Sequence, residues 1–325
     1  MQPAAESASV MAALSEAAAP EARVAVKTAL TNTVRNRVRI RTAVPQFSGF
    51  PGTETLNRQI AQQTQSAEAA LETSAEAASS GSAGETAFYS SYFDYTDRGG
   101  QLSVWVTWQS GADGARDGRG VSAWNVETAT GKPCGTPDFL FRDRAGGGKW
   151  LTGQIEKKIR DRADVYFPDA ARIVEKKGGN YDYYLDGDTL VVVFGSGEIA
   201  PPSADLVSFA FPLKEMAVGS PLSVPLSGQS SRGAVRVNGQ DALMRNRPVP
   251  DGRGGYLLPL EDTCALLGLE ITRGDGACAA GGKAVEPTLV QGVSYAPLSF
   301  FTETAGELLF YDGGVLRIFP KSAQG

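Results

Sequence analysis

Histidine is absent from all 325 residues, and that absence bounds the chemistry open to the chain before any motif is considered. Ser-His-Asp and Cys-His nucleophile systems need an imidazole base, and the usual zinc and copper sites need imidazole ligands. Carboxylates, Lys, Tyr and Cys are what remain. Cys134, Cys264 and Cys278 show no CxxC or other metal-type spacing. Spacing permits a Cys264–Cys278 disulfide across a helix and the hairpin that follows it. The competing reading makes Cys264 a small buried apolar residue. No metal, no cofactor and no enzyme activity are therefore expected.

Four stretches could still carry a site. The first is Gly111–Gly120, which holds Asp113, Arg116 and Arg119 and is framed by Trp105, Trp108 and Trp124. Arginine and aromatic rings favour interfaces, so Asp113, Arg116, Arg119, Trp108 and Trp124 form the candidate ligand-binding set. The competing reading is a solvated hairpin connection beside core tryptophans, and strand alternation favours it. Tyr181, Tyr183 and Tyr184 suggest a stacking platform for sugars, although an aromatic strand is more often packing. Asp182, Asp186 and Asp188 offer a carboxylate pair of the glycosidase kind, at a hairpin where Asp is expected anyway. Gly146-Gly147-Gly148-Lys149 lacks the GxxxxGK[ST] spacing of a phosphate loop.

The elements that must position these residues read as α+β. Residues 1–22 are an Ala-rich flexible leader. Residues 23–43 alternate like strands, and Val44–Gly49 is turn-like. A helix follows from Thr53 with an inward stripe of Leu56, Ile60, Thr64, Ala67 and Leu71. Leu102, Val104, Val106 and Trp108 alternate with polar partners in one hairpin, and Val121–Thr128 is the next strand. Trp150–Phe167 is an amphipathic helix with Leu151, Ile155, Ile159 and Ala163 inward. A second hairpin turns at Asp186-Gly187-Asp188, and Val207, Phe209 and Phe211 mark one more strand. Residues 23–216 thus form antiparallel hairpins packed with two amphipathic helices, and 217–232, rich in Ser, Pro and Gly, form a linker.

Residues 233–320 contain a repeat. Tyr256–Leu260 leads to Gly268, and Tyr295–Leu298 leads to Gly306. Pro259 and Pro297 suit a first helical turn and the glycines suit the residue past the helix end. Each copy reads as strand, short helix, hairpin, with Cys264 on the inner stripe beside Leu260 and Leu267.

The net charge of −5, from 31 basic and 36 acidic residues, comes with no basic block. Nucleic acid is therefore not an expected partner. No stretch reaches the ~20 apolar residues of a membrane span.

The C-terminal repeat, through Val235–Gly239, Tyr256–Leu260, Ala265–Gly268, Tyr295–Phe301 and Gly314–Ile318, resembles the copper amine oxidase N-terminal-like (stalk) domain. That domain is an appended module of exported bacterial proteins, and it is not the copper-bearing one. Residues 24–216 resemble the extracytoplasmic domain of lysozyme-sensing anti-sigma-V factors, also the leader domain of certain peptidoglycan deacetylases. Pro45–Gly49, Leu56–Ile60, Trp124–Val126 with Thr130–Lys132, Tyr183–Leu185, Leu190–Phe194 and Glu198–Pro201 carry the likeness. Where that family has a Gly-Gly-Ala-His-Gly loop, this chain has Gly111–Gly120. The resemblances imply an extracytoplasmic (secreted or cell-surface), non-catalytic binding protein of the bacterial envelope, with a lysozyme-like protein or peptidoglycan as partner. The alternatives are an accessory part of a cell-wall-modifying enzyme and a structural surface spacer.

Overall fold

Alternation of apolar and polar residues produces a long hairpin, β1 (Ala25–Arg35) and β2 (Val38–Ser48), turned at Asn36 and Arg37 with positive φ at both. The computed structural model describes residues 24–78, 87–98, 100–112, 115–204, 206–219, 222, 234–253, 255–274, 277–305 and 308–320. The leader expected over 1–22, Asp113, Gly306 and most of the 217–232 linker lie outside them. Val44–Gly49, expected as a turn, is strand as far as Ser48. Pro45 is tolerated there because the parallel pairing of β2 with β3 (Ala87–Arg98) ends at Thr42↔Ser91. Beyond that point β2 has β1 as its one neighbour, and a missing N–H interrupts no second ladder.

β4 (Gln101–Ala112) and β5 (Ala115–Glu127) complete a five-stranded sheet in the order β1-β2-β3-β4-β5. Helix α1 (Thr53–Ala78) lies on it through the expected stripe. Leu56, Ile60 and Thr64 are buried, and Ala67 and Leu71 pack against Val38, Ile40 and Tyr89. Asn57 acts as a surrogate strand partner, accepting from Phe47 N–H at 2.8 Å and donating to its carbonyl at 2.9 Å.

Gly111–Gly120 is not a loop for most of its length, because β5 begins at Ala115 and pairs back along β4. Gly118 and Gly120 give the Trp108 ring clearance: a Cβ on Gly120 would lie 2.4 Å from it.

The next unit comprises α2 (Arg144–Asp161), α3 (Ala170–Lys177), the sheet β6 (Asp182–Asp186), β7 (Thr189–Phe194) and β8 (Val207–Pro212), then α4 (Leu213–Gly219). Leu151, Ile155 and Ile159 of α2 are buried against β7 as the stripe predicts. Ala163 falls past the helix end and is exposed, and Val174 of α3 joins the core instead. Gly146–Gly148 form the first turn of α2. Asp143 caps it by accepting from Gly146 N–H at 3.1 Å. Tyr181 and Tyr183 are buried in the same core, so packing accounts for most of the aromatic strand.

The C-terminal module is built from β9 (Val235–Val237), β10 (Gln240–Ala242), β11 (Val249–Pro250), β12 (Tyr256–Pro259), α5 (Leu260–Leu267), β13 (Ile271–Gly274), β14 (Ala277–Ala280), β15 (Lys283–Val285), β16 (Thr288–Val290), β17 (Val293–Pro297), α6 (Leu298–Ala305), β18 (Leu308–Asp312) and β19 (Val315–Phe319). The two copies of the repeat meet where β12 pairs antiparallel with β17. Equivalent residues Leu258 and Ala296 are opposite each other, so the copies face one another about a local two-fold.

The β9–β10 turn docks the module onto the five-stranded sheet. Asn238 and Gly239 have φ of 49° and 81°, the pattern of a type I′ hairpin. The Gly239 carbonyl accepts from Tyr95 N–H at 3.3 Å, and a Cβ there would lie 2.9 Å from the Phe93 ring. Gly239→Val is expected to lose about 1–3 kcal/mol from strain and clash together. Urea unfolding is the check, and a wild-type midpoint would refute this docking geometry.

Candidate functional site

Arg236 on β9 and Arg317 on β19 sit directly opposite each other in the parallel pair, so two like charges are held side by side inside the protein. Asp94 of β3, fully buried, answers both. Its Oδ2 accepts from Arg317 Nε at 2.7 Å and lies 3.0 Å from Arg236 Nη1. Arg236 also reaches Asp186 at the end of β6 at 2.5 Å and Asp241 of β10 at 3.1 Å. Burial works against both cations. Asp94, with Asp186 and Asp241 for Arg236 and with Tyr92 for Arg317, outweighs it and holds both guanidiniums above their ordinary range. Arg236 lies 5.5 Å over the Trp105 ring and Arg317 lies 4.5 Å over Tyr92. Nearby, Asp312 accepts from both the Tyr92 hydroxyl and Arg119.

The middle unit reaches the same junction along one strand. Leu185 N–H donates to Ser103 Oγ and Asn125 Nδ2 to the Tyr183 carbonyl, both at 2.8 Å. Tyr184 stacks on Trp105 with ring centroids 4.3 Å apart. Asp188 pairs with the buried Arg98 at 3.0 Å. Asp186 and Asp188 are thus ion-pair partners rather than turn residues alone, while Asp182 is exposed. The cluster clamps three sheets together, and each carboxylate in it is engaged by a guanidinium.

The expected ligand set is divided rather than assembled. Trp108 pairs with Gly120 and Trp124 with Val104, whereas Arg119 pairs with Gln109. With a side-chain period of two, the tryptophans fall on one face of the sheet and Arg119 on the other. Trp124 packs against the sheet's core and Trp108 against the cluster under α1, while Arg119 is tied to Asp312. Arg116 lies on β5, and Asp113 is outside the described residues.

A cleft of ≈ 400 Å³ opens between the five-stranded sheet and the C-terminal module, beside Asp312. Arg41, Tyr92 and Gln109 line it from the sheet, and Tyr256, Leu298 and Tyr311 from the module. The Tyr256 and Tyr311 rings meet at a corner, centroids 4.0 Å apart and planes at 52°. Asp251, also in the wall, spends its carboxylate on the N–H groups of Arg253 and Gly255 at 2.7 and 2.8 Å. No sequence spacing pointed to this cleft, because its two walls come from chain positions more than a hundred residues apart.

Cys134, Cys264 and Cys278 are free thiols, so the Cys264–Cys278 bridge that spacing permits is not formed. Cys264 is buried on the inner side of α5 in the module's core. Burial, then Glu261 and Cys278, push its thiol up to about 11, which keeps thiolate scarce and exchange slow. Among the described residues no group of three or more His, Cys, Asp or Glu is placed to hold a metal ion, and no helix is long and apolar enough to cross a membrane.

No protein-family model matches the sequence, and neither does any curated protein. Solved structures that resemble it include a DUF3298 family member from Bacteroides fragilis, with a TM-score of 0.37 at 12% identity over 62% of this chain and 93% of that one. A DUF3298 family protein from Pseudomonas aeruginosa gives a TM-score of 0.34 at 14% identity with the same two coverages.

Proposed function

We propose that the chain is a non-catalytic binding protein of the bacterial cell envelope, acting outside the cytoplasm, with its ligand seat in the cleft between the five-stranded sheet and the C-terminal module. The supporting observation is the wall chemistry of that cleft. Its tyrosine corner and the aliphatic Leu298 and Leu309, set among polar groups such as Arg41, Gln109 and Ser299, offer ring surface together with hydrogen-bonding groups, and its ≈ 400 Å³ falls in the size range of small-ligand sites. Of the two ligands implied by the resemblance, this size favours a peptidoglycan fragment. A whole lysozyme would need about 800 Å² of surface per partner. The ion-pair cluster beside the cleft contributes rigidity, since binding residues gain from walls that need no ordering.

Calorimetric titration of the whole chain tests this reading. A soluble disaccharide-peptide is expected to give saturable heat at about micromolar affinity, and hen-type lysozyme none. Tyr256→Ala with Tyr311→Ala should weaken the first by about tenfold or more. Absence of heat from folded protein with both titrants overturns the binding reading and leaves the surface spacer. Turnover of the titrant favours a part in cell-wall modification.

A further inference from the structure

Among the described residues, Arg41 is the cation lining the cleft, and no described carboxylate answers its charge. It sits on β2, half-buried, and its described contacts are a hydrogen bond from Nη2 to the Leu309 carbonyl at 3.2 Å and a position 5.2 Å over the Phe310 ring. Neither contact neutralises a charge. Burial, and then Arg39 two residues earlier on the same face, pull its pKa below the ordinary guanidinium value. Both acidic residues in the wall are otherwise engaged, Asp251 with backbone N–H groups and Asp312 with Tyr92 and Arg119. The contrast with Arg236 and Arg317 is direct: those guanidiniums are buried against carboxylates, and Arg41 is half-buried without one among the described residues. The opposite wall includes Pro297 at the end of β17 and Leu298 and Ser299 at the start of α6. A helix start presents N–H groups and the positive end of the dipole, and α6 has no acidic residue in its first turn to occupy it.

We propose that the ligand of this cleft is a carboxylate-bearing amino sugar or glycopeptide. Its carboxylate is held by Arg41 and its ring lies against the Tyr256–Tyr311 corner. The inference rests on reading the cleft as the ligand seat, and it adds the ligand's charge and the residue that recognises it. A guanidinium fork matches a carboxylate in shape, and partial burial strengthens the pair. A pyranose ring supplies C–H surface for the tyrosines. The carboxylate could sit on the sugar's lactyl ether or at the end of a stem peptide, and these two sources share the recognition chemistry.

Three probes separate the outcomes when titrated into the whole chain. N-acetylglucosamine has the ring and no carboxylate. N-acetylmuramic acid adds the lactyl carboxylate. Its dipeptide derivative amidates that group and places carboxylates on the peptide. The expected result is that at least one acidic probe binds about tenfold or more tighter than N-acetylglucosamine, and whichever does so identifies the source. Arg41→Gln should remove that margin while Arg41→Lys keeps part of it, with thermal unfolding confirming that both variants are folded. Equal binding of all three probes, or a margin that survives in folded Arg41→Gln, overturns the carboxylate assignment and leaves the cleft reading intact. Binding of none of them overturns both.

Discussion

Asp94→Ala is expected to destabilise the protein by about 3–5 kcal/mol, the usual consequence of removing one partner from a buried ion pair. Asp94 is the shared anion between Arg236 and Arg317. Its loss leaves two guanidiniums in register across β9 and β19 with nothing between them. Arg236 keeps Asp186 and Asp241, but Arg317 has no other carboxylate among its described contacts. The damage should therefore concentrate at the seam between the five-stranded sheet and the C-terminal module. Equilibrium urea unfolding measures it, and a loss under about 1 kcal/mol would show that water or rearrangement satisfies both arginines. A companion variant tests what the cluster is for. Asp94→Leu with Arg317→Met replaces that charge pair by apolar volume while Arg236 keeps Asp186 and Asp241, and exchanges of that kind are often neutral or stabilising. If the double variant is as stable as wild type but no longer binds the proposed ligand, the pair's contribution is the position of the module rather than stability.

How far these features could be read from the chain differs between fold and site. The stripe of α1, the inward face of α2 and the tandem strand–helix repeat are periodic over several turns or strands, and periodicity is what sequence displays. Helices α3 and α4, at eight and seven residues, are too short to establish a period. The junction is the harder case. Arg317 and Asp94 are 223 positions apart, so no spacing rule connects them. A signal was nonetheless present: Val235-Arg236-Val237 and Leu316-Arg317-Ile318 each place a guanidinium inside an apolar strand, and Phe93-Asp94-Tyr95 places a carboxylate between rings. Buried charges demand partners, so three such triplets in one chain are mutual candidates. How the tryptophan-framed set is disposed depends on register, which spacing does not display. Only the β4–β5 ladder reveals that Trp108 and Trp124 share one face and Arg119 takes the other.

That same register assigns Trp105 to structure, and Trp105→Ala is expected to lower stability by about 3–5 kcal/mol. Trp105 stands opposite Asp94 in the β3–β4 ladder and is 3% exposed. One side of its ring stacks on Tyr184 of β6, with planes 17° apart, and the Arg236 guanidinium rests over it. Truncation thus opens a cavity at the point where all three units meet. It also removes an aromatic pair of about 0.5–1.5 kcal/mol and a desolvated cation–π contact of about 2 kcal/mol, both contained within the total. Trp105→Phe should restore the stack on Tyr184 and recover most of the loss. Trp108→Ala provides the contrast, because Trp108 is half-buried and its ring lies over Gly118 and Gly120, so a loss of about 1–2 kcal/mol is expected. Thermal and urea unfolding of the three variants decide the matter. Equal destabilisation by Trp105→Ala and Trp108→Ala would refute the junction role. A Trp105→Ala protein that unfolds like wild type yet loses ligand would return Trp105 to the binding surface, and the cleft would then have to extend beneath Arg236.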